Sequence, residues 1–371
     1  MPPDPGSGNK RDRVTMPRLF GQTLRRKELL GRTGDLSQVA GIRLMTLDDG
    51  PSRGVRIADV RTGSGLRFQV TLDRGMDISP AEYRGIPLAF RTPAGDVHPS
   101  FFDPVGRGWL RTFAGGLMNG CGMMNVGSPC TDQGEELGQH GRLSHVRASG
   151  VAASERWEAD ECSLVLAGSL RETSMFGGNL LLSRSIETGV GSSRLTIRDA
   201  VRNEGDARSP LMMLYHINAG WPLVDEGSRL FLGGGTTEPR DEAAAAGLAN
   251  ARLCTAPVRG FEEQVFYHDC PADGEGYVTA LLANRAMGLA LSVRFRKREL
   301  HRLVQWKMMG EGTYVMGIEP ANCRVEGRDA ERRAGTLRFL DPGEECHFEV
   351  QIGVEEGEEE IGSFISRNRL T

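Results

Sequence analysis

The sequence predicts an all-β protein, a large antiparallel β-sandwich with few short helices. Short apolar or alternating runs rich in Val, Leu, Ile and Thr recur along it, each bounded by Gly, Pro, Asn or Asp. No strand alternates regularly with an amphipathic helix of ~10–15 residues, as a parallel α/β fold would require. The 371 residues contain no internal repeat or low-complexity linker, and single sandwich domains of about 250 residues or more are routine.

Residues 1–17 are rich in Pro, Gly and charge, with little apolar surface to offset ordering entropy, and are expected to be disordered. Met16 is an alternative start. A single domain is then expected over 18–356, with 357–371 as a C-terminal tail. LFGQTLRRKELL (19–30) has helix formers with weak periodicity and reads as a short helix or entry arm, stopped by Gly31 and Gly34. VRIADV (55–60) and LRFQVTL (66–72) form a hairpin about Thr62-Gly63-Ser64-Gly65. LDRGMDIS (72–79) leads into IPLAF (86–90). From Gly106 to Gly141 glycines interrupt any period, predicting a long loop. Its Trp109, Phe113, Leu117, Met118, Met123 and Met124 make it an ordered pocket wall.

Strand patterns follow at 146–154, 163–170, 179–188 and 193–203, each closed by turn residues. DEAAAAGLANARL (241–253) is the best helix of the second half. Strands resume at 276–283, 288–296, 302–309, 313–319, 336–340 and 346–354, and the acidic EEGEEE reads as a solvated end.

Composition excludes several classes of function. A formal net charge of -4 and a pI near 6.1 give no basic footprint for nucleic acid. No window reaches the ~18 apolar residues of a membrane span, and the N-terminus lacks the apolar core of a signal peptide. A cytoplasmic location is the expectation. Seven cysteines, an odd number without CxxC spacing, read as reduced thiols. The histidines show no HxH or HExxH spacing, so no metal site is expected.

The candidate chemistry lies in two stretches. In LMMLYHINAGWPLV (211–224) His216 ends an apolar run, and in TYVMGIEPANC (313–323) Glu319 follows a strand-like segment. Imidazole and carboxyl groups, with unperturbed pKa values of ~6.5 and ~4.3, are readily tuned to move protons near neutrality, and two run-ends can meet in one cleft. Taken alone, His216 also reads as a core histidine, and Glu319 as a strand end paired with Arg324 or Arg328. Lys307 and Gln305 flank Trp306, giving that strand one polar face, toward pocket or solvent. Asp73, Arg74 and Asp77 read as a buried salt-bridged turn supporting the pocket. His268 and Asn218 are further candidates, and Trp221 and Trp306 serve equally as core or as stacking platforms for a ligand.

VRNEGDARSPLMMLYHINAGWPL (201–223) resembles the central signature of the galactose mutarotase-like superfamily, the aldose 1-epimerases, in which a strand ending V-x-N-x-G precedes one carrying the catalytic His and a nearby Asn. HGR (140–142) resembles the family's His-Gly element, and GIEPANC (317–323) its downstream Glu segment. The series LFGQTL, DRGMDI, GGLMNGCG, HGRLS, YHINAGWP, QWK and IEPANC resembles a bacterial branch of that superfamily over about Leu19 to Val354.

This resemblance implies a galactose mutarotase-like supersandwich with a monosaccharide pocket on its concave face. It implies Glu319 as the base that takes the anomeric hydroxyl proton and His216 as the acid that protonates the ring oxygen. The ring then opens, rotates about C1–C2 and recloses as the other anomer. His140 would be a substrate ligand, Arg142 or Arg111 a cationic donor to sugar hydroxyls, and no cofactor or metal is implied. GEELGQHGR stands where the family has an asparagine-rich lead-in, and EPAN stands for ETQ, which leaves the sugar open. Burial is expected to raise the Glu319 pKa, and Glu319 to keep His216 protonated.

Two other readings stay open: a carbohydrate-binding or sensing protein without turnover, and an epimerase acting on a sugar acid, the latter if Arg111, Arg142 and Lys307 converge. The expected partner is a small-molecule carbohydrate, not nucleic acid or membrane, with a homodimer left open.

Overall fold

In the computed structural model, which describes residues 16–371, two large antiparallel sheets face each other. The expectation for the N-terminal segment lies, up to residue 15, outside the described residues. An eight-stranded sheet runs in the order 149–158, 161–173, 179–189, 194–203, 345–356, 289–296, 277–284 and 229–232. The second sheet, of eleven strands, runs 236–239, 264–269, 302–310, 313–321, 212–220, 118–123, 77–83, 66–71, 56–61 and 41–46, with 86–87 beside 77–83. The all-β sandwich predicted from the sequence is the observed architecture.

Alternation sets which face is buried. In Arg194–Asn203, Leu195, Ile197 and Val201 turn inward while Arg194, Arg198 and Arg202 turn to solvent, as one strand of a half-covered sheet should. The apolar side chains meet Val60, Phe68, Ile78, Met213, Ile217, Met316 and Ile318 of the other sheet in one continuous core. A buried polar group crosses it. Arg184 forks onto Asp199 at 2.9 and 2.6 Å, and the Tyr215 hydroxyl donates to Asp199 at 2.6 Å. A fully paired buried charge of this kind fixes register more than it adds stability. Here it fastens the strand of His216 to the opposite sheet.

Two expectations are corrected. The stretch 106–141 is only partly loop: Met118–Met123 is a buried inner strand, masked in the sequence because Gly120 and Gly122 leave it no alternating pattern. Gly122, at φ +134, lies so close to the Met212 carbonyl that a Cβ would strike it. The 19–30 segment holds the short helix expected there, Arg26–Leu30, ended at Gly31 and preceded by a two-residue ribbon of Arg18–Leu19 with Gln22–Thr23. The acidic end is not a solvated tail. Glu358–Arg367 is a helix whose Ile361 and Phe364, with Leu370, pack on Leu281, Ala283 and Ala290. Its Glu358, Glu359 and Glu360 sit in the first turn, where the helix dipole favours negative charge. The DEAAAAG helix forms as Glu242–Gly247, capped by Asp241, with a 3-10 turn after it.

No helix among the described residues is long and apolar enough to cross a membrane. All seven cysteines are free.

Candidate functional site

The site grows from strand register. In Met212–Gly220, Leu214 pairs with Ala321 and Asn218 with Gly317, so His216 stands opposite Glu319 on the neighbouring strand Thr313–Ala321. Directly opposed residues share a face. On the other side His216 pairs with Asn119 of Met118–Met123, and beyond Glu319 the strand Arg302–Gly310 sets Val304 against Glu319 and Trp306 against Gly317. One face, turned away from the eight-stranded sheet, thus carries Asn119, His216, Asn218, Glu319 and Trp306. Gly317 makes room here: a Cβ at this position would collide with Glu319 Oε1 and Trp306 Cβ.

The stretches before and after the strand Met118–Met123, from about 98 to 117 and 124 to 145, fold over this face. Arg74, buried, donates to the carbonyls of Val97 and Thr112 at 2.7 Å and so pins the backbone beside Phe113. Trp109 Nε1 donates to Ser144 Oγ at 2.9 Å, and its ring stacks on Phe113 at 4.6 Å between centroids. His140, at φ +55, places its ring 4.6 Å from Trp109 and 5.6 Å from His216. With Phe113 at 5.5 Å and Trp306 at 5.4 Å, the His216 imidazole is walled by aromatic rings. Trp306 is steadied by its indole N–H on Glu263, which also pairs with Arg240.

Within the walls, His216 Nδ1 lies 2.5 Å from Asn218 Oδ1 and 3.3 Å from Glu319 Oε1. The second contact lacks hydrogen-bond alignment, and Glu319 Oε1 is left buried without a hydrogen-bond partner. Burial controls the charges. It pushes the Glu319 carboxyl well above the usual carboxylate range, with the nearby Glu263 charge adding and Arg240 opposing. It pulls His216 down to about 4, against the hydrogen bond to Asn218. The expectation that Glu319 keeps His216 protonated is therefore corrected: burial moves both groups toward their uncharged forms, and the carboxyl does not hold the imidazole pKa up. His140 is pulled down to about 3 by burial and by His216. Its Nδ1 accepts from Gly127 N–H at 3.3 Å, which leaves the proton of the neutral ring on Nε2.

Of the residues singled out in the sequence, His216, Glu319, His140 and Asn218 come together. Gln305 and Lys307 do not. They alternate with Trp306, so the pleat turns them to the opposite face, where both are buried. Gln305 holds His268 Nε2 at 2.9 Å and the Ala251 carbonyl at 2.6 Å, while Lys307 donates to the Asn250 carbonyl at 2.8 Å. His268, pulled down to about 4 by burial, belongs to that inner group. Its placement, with that of Gln305 and Lys307, corrects their assignment to the pocket. Arg111 is 80% exposed and faces Asp103 at 4.0 Å. Arg142 is exposed and near enough to Glu172 to oppose the rise of its pKa. The cations named in the sequence therefore do not converge. Asp73 binds Arg56 and Arg147, and Asp77 accepts from Gly120 N–H at 2.8 Å, consistent with a supporting turn. Asn119 and Gly317 had no sequence signal beyond their place in glycine-broken runs. Among the described residues no group of three or more His, Cys, Asp or Glu is placed to hold a metal ion.

No curated protein sequence matches the chain. Among solved structures, a protein from Klebsiella pneumoniae described as a "putative aldose 1-epimerase" superposes with a TM-score of 0.84 at 24% identity, covering 88% of this chain and 86% of its own. A galactose mutarotase-like protein from Clostridium acetobutylicum gives 0.61 at 13% identity, over 86% and 99%. Galactose 1-epimerase from Lactobacillus acidophilus gives 0.56 at 14%, over 86% and 100%. At these identities the likeness establishes the mutarotase-like sandwich fold. The family model described as "Domain of unknown function (DUF4432)" matches residues 52–354, and the chain belongs to that family.

Proposed function

We propose that this protein is an aldose 1-epimerase-like isomerase that interconverts the anomers of a monosaccharide through His216 and Glu319. The observation that carries the reading is the unsatisfied Glu319 Oε1, buried beside His216 within the aromatic walls. An unpaired buried polar atom costs ~1–3 kcal/mol. A cyclic hemiacetal repays that cost, because its anomeric hydroxyl and ring oxygen are joined to one carbon and offer a donor and an acceptor side by side.

With both groups uncharged, His216 carries its hydrogen on Nδ1 and the proton available to the substrate is on Glu319. His216 Nε2 takes the proton of the anomeric hydroxyl while Glu319 gives its own to the ring oxygen, and the C1–O5 bond breaks to leave an aldehyde and a hydroxyl. After rotation about C1–C2 the hydroxyl attacks the other face. The carboxylate now takes the hydroxyl proton and the imidazolium returns its proton to the carbonyl oxygen, restoring both groups. The assignment with Glu319 as base and His216 as acid starts instead from the ion pair, with the imidazole protonated at Nε2 as well as Nδ1. His140 Nε2–H supplies a further donor to a sugar hydroxyl.

A neutral sugar suits the site better than a sugar acid, because Arg111, Arg142 and Lys307 point elsewhere. The aromatic walls favour stacking on C–H faces. The test is saturation-transfer NMR of α to β exchange over a panel of aldoses, deoxy sugars and sugar acids. Acceleration on a neutral sugar supports the reading; binding without acceleration on any sugar replaces it with a carbohydrate-binding role.

A further inference from the structure

The polar residues behind His216 form a continuous line that the acid/base pair does not use. Asn218 Nδ2 donates to the carbonyls of Gly116 and His216 at 3.0 and 2.9 Å and lies 3.3 Å from Asn119 Oδ1. Carbonyl oxygens only accept, so these contacts fix which end of the Asn218 amide is nitrogen. Its Oδ1 must then face His216 Nδ1, and at 2.5 Å it needs a hydrogen there. Asn119 is oriented in the same way: its Nδ2 donates to Asp77 Oδ2 at 3.2 Å, turning its Oδ1 toward Asn218. Asp77 accepts from Gly120 N–H through Oδ1 and lies 3.8 Å from Arg184, which Asp199 holds in place. Asp77, Asn119, Asn218 and His216 are all buried.

We propose that Asp77, Asn119 and Asn218 are positioning residues that hold His216 in the tautomer with hydrogen on Nδ1, leaving Nε2 open to the substrate. The device works by amide polarity: each group can satisfy its neighbour in only one orientation, the Gly116 and His216 carbonyls fixing Asn218 and Asp77, an acceptor on both oxygens when ionised, fixing the Asn119 that supports it. No hydrogen bond occupies His216 Nε2 among the described residues. This inference deepens the proposed reaction, since it names which nitrogen exchanges the proton, but its first readout does not depend on turnover.

The test is long-range ¹H–¹⁵N correlation NMR of the His216 ring near pH 7.5 in the wild type, Asn218→Leu, Asn119→Ser and Asp77→Asn. The expected wild-type pattern has a protonated Nδ1 and an unprotonated Nε2, giving way to mixed or reversed tautomers in the variants. Asp77→Asn is isosteric and presents a donor to Asn119, so it turns the Asn119 amide against Asn218 and loosens the hold on His216 without emptying the line. Anomer exchange on the best sugar should fall about tenfold or more in kcat in each variant, with KM little changed. A wild-type ring protonated at Nε2, or an unchanged tautomer in any folded variant that exchanges at the wild-type rate, overturns the proposal. The expected tautomers in a protein that accelerates no sugar uphold this chain of residues and reject the epimerase reading instead.

Discussion

His216 and Glu319 stand opposite each other on adjacent antiparallel strands, with Nδ1 and Oε1 3.3 Å apart and both side chains nearly sealed from water. Each is pushed by burial toward its uncharged form. A neutral imidazole beside a protonated carboxyl suits a reaction that takes a proton from one oxygen and gives one to another.

Gly317 is the residue through which this geometry can be disturbed with the least chemistry. A methyl group there collides with Glu319 Oε1 and Trp306 Cβ. Gly317→Ala is expected to displace the carboxyl and lower anomer exchange at least tenfold, with a fall in melting temperature. Exchange rates and thermal unfolding measured on the same preparation check this; an unchanged rate would show that the carboxyl position does not matter.

Glu172 provides a pH prediction away from the acid/base pair. Its buried carboxyl accepts from Met123 N–H at 2.8 Å and is pushed up to about 7, chiefly by loss of solvation. A carboxyl raised above its unfolded value stabilises the fold fully below the unfolded pKa of ~4.5, and that contribution is lost as pH rises through about 7. Glu172→Gln, which cannot ionise, should therefore gain on the wild type as pH rises from 5 to 9, by up to roughly 3 kcal/mol. Denaturant melts at several pH values measure the difference.

The histidines act in the opposite sense. His140 and His216 are lowered to about 3 and 4. Their contribution is fully present above the unfolded value near 6.5 and is lost as pH falls through the window from 6.5 to those values. His216→Asn should narrow its stability gap to the wild type over that window, a trend that acid titration followed by circular dichroism would reveal.

Phe364 tests the C-terminal helix independently of the site. It is buried against the outer face of the eight-stranded sheet. Phe364→Ala should cost ~3 kcal/mol of stability, in line with other large-to-small core substitutions, and leave anomer exchange at low temperature unchanged.

The sandwich and the meeting of His216 with Glu319 were legible in the sequence for a physical reason. Strands such as 194–203 alternate faces, and His216 and Glu319 end apolar runs whose register brings them together. What depends on backbone proximity was hidden. The strand 118–123 has two glycines where alternation would otherwise show, so Asn119 looked like loop. Gln305 and Lys307 neighbour Trp306 in sequence, but the pleat sends them to the other side of the sheet, a distinction that needs Trp306 assigned to a face first. The acidic EEGEEE masked a helix whose apolar anchors, Ile361 and Phe364, lie just beyond it.

The most direct test of the acid/base pair is the exchange rate of α and β anomers on the best neutral sugar for wild type, His216→Asn, Glu319→Gln and the double variant. Groups that work as a unit are not additive, and each general acid or base contributes roughly 10²–10⁴. Both single variants should fall by at least about 10², with the double variant no slower than the worse single. Wild-type exchange in either folded single variant would contradict the account.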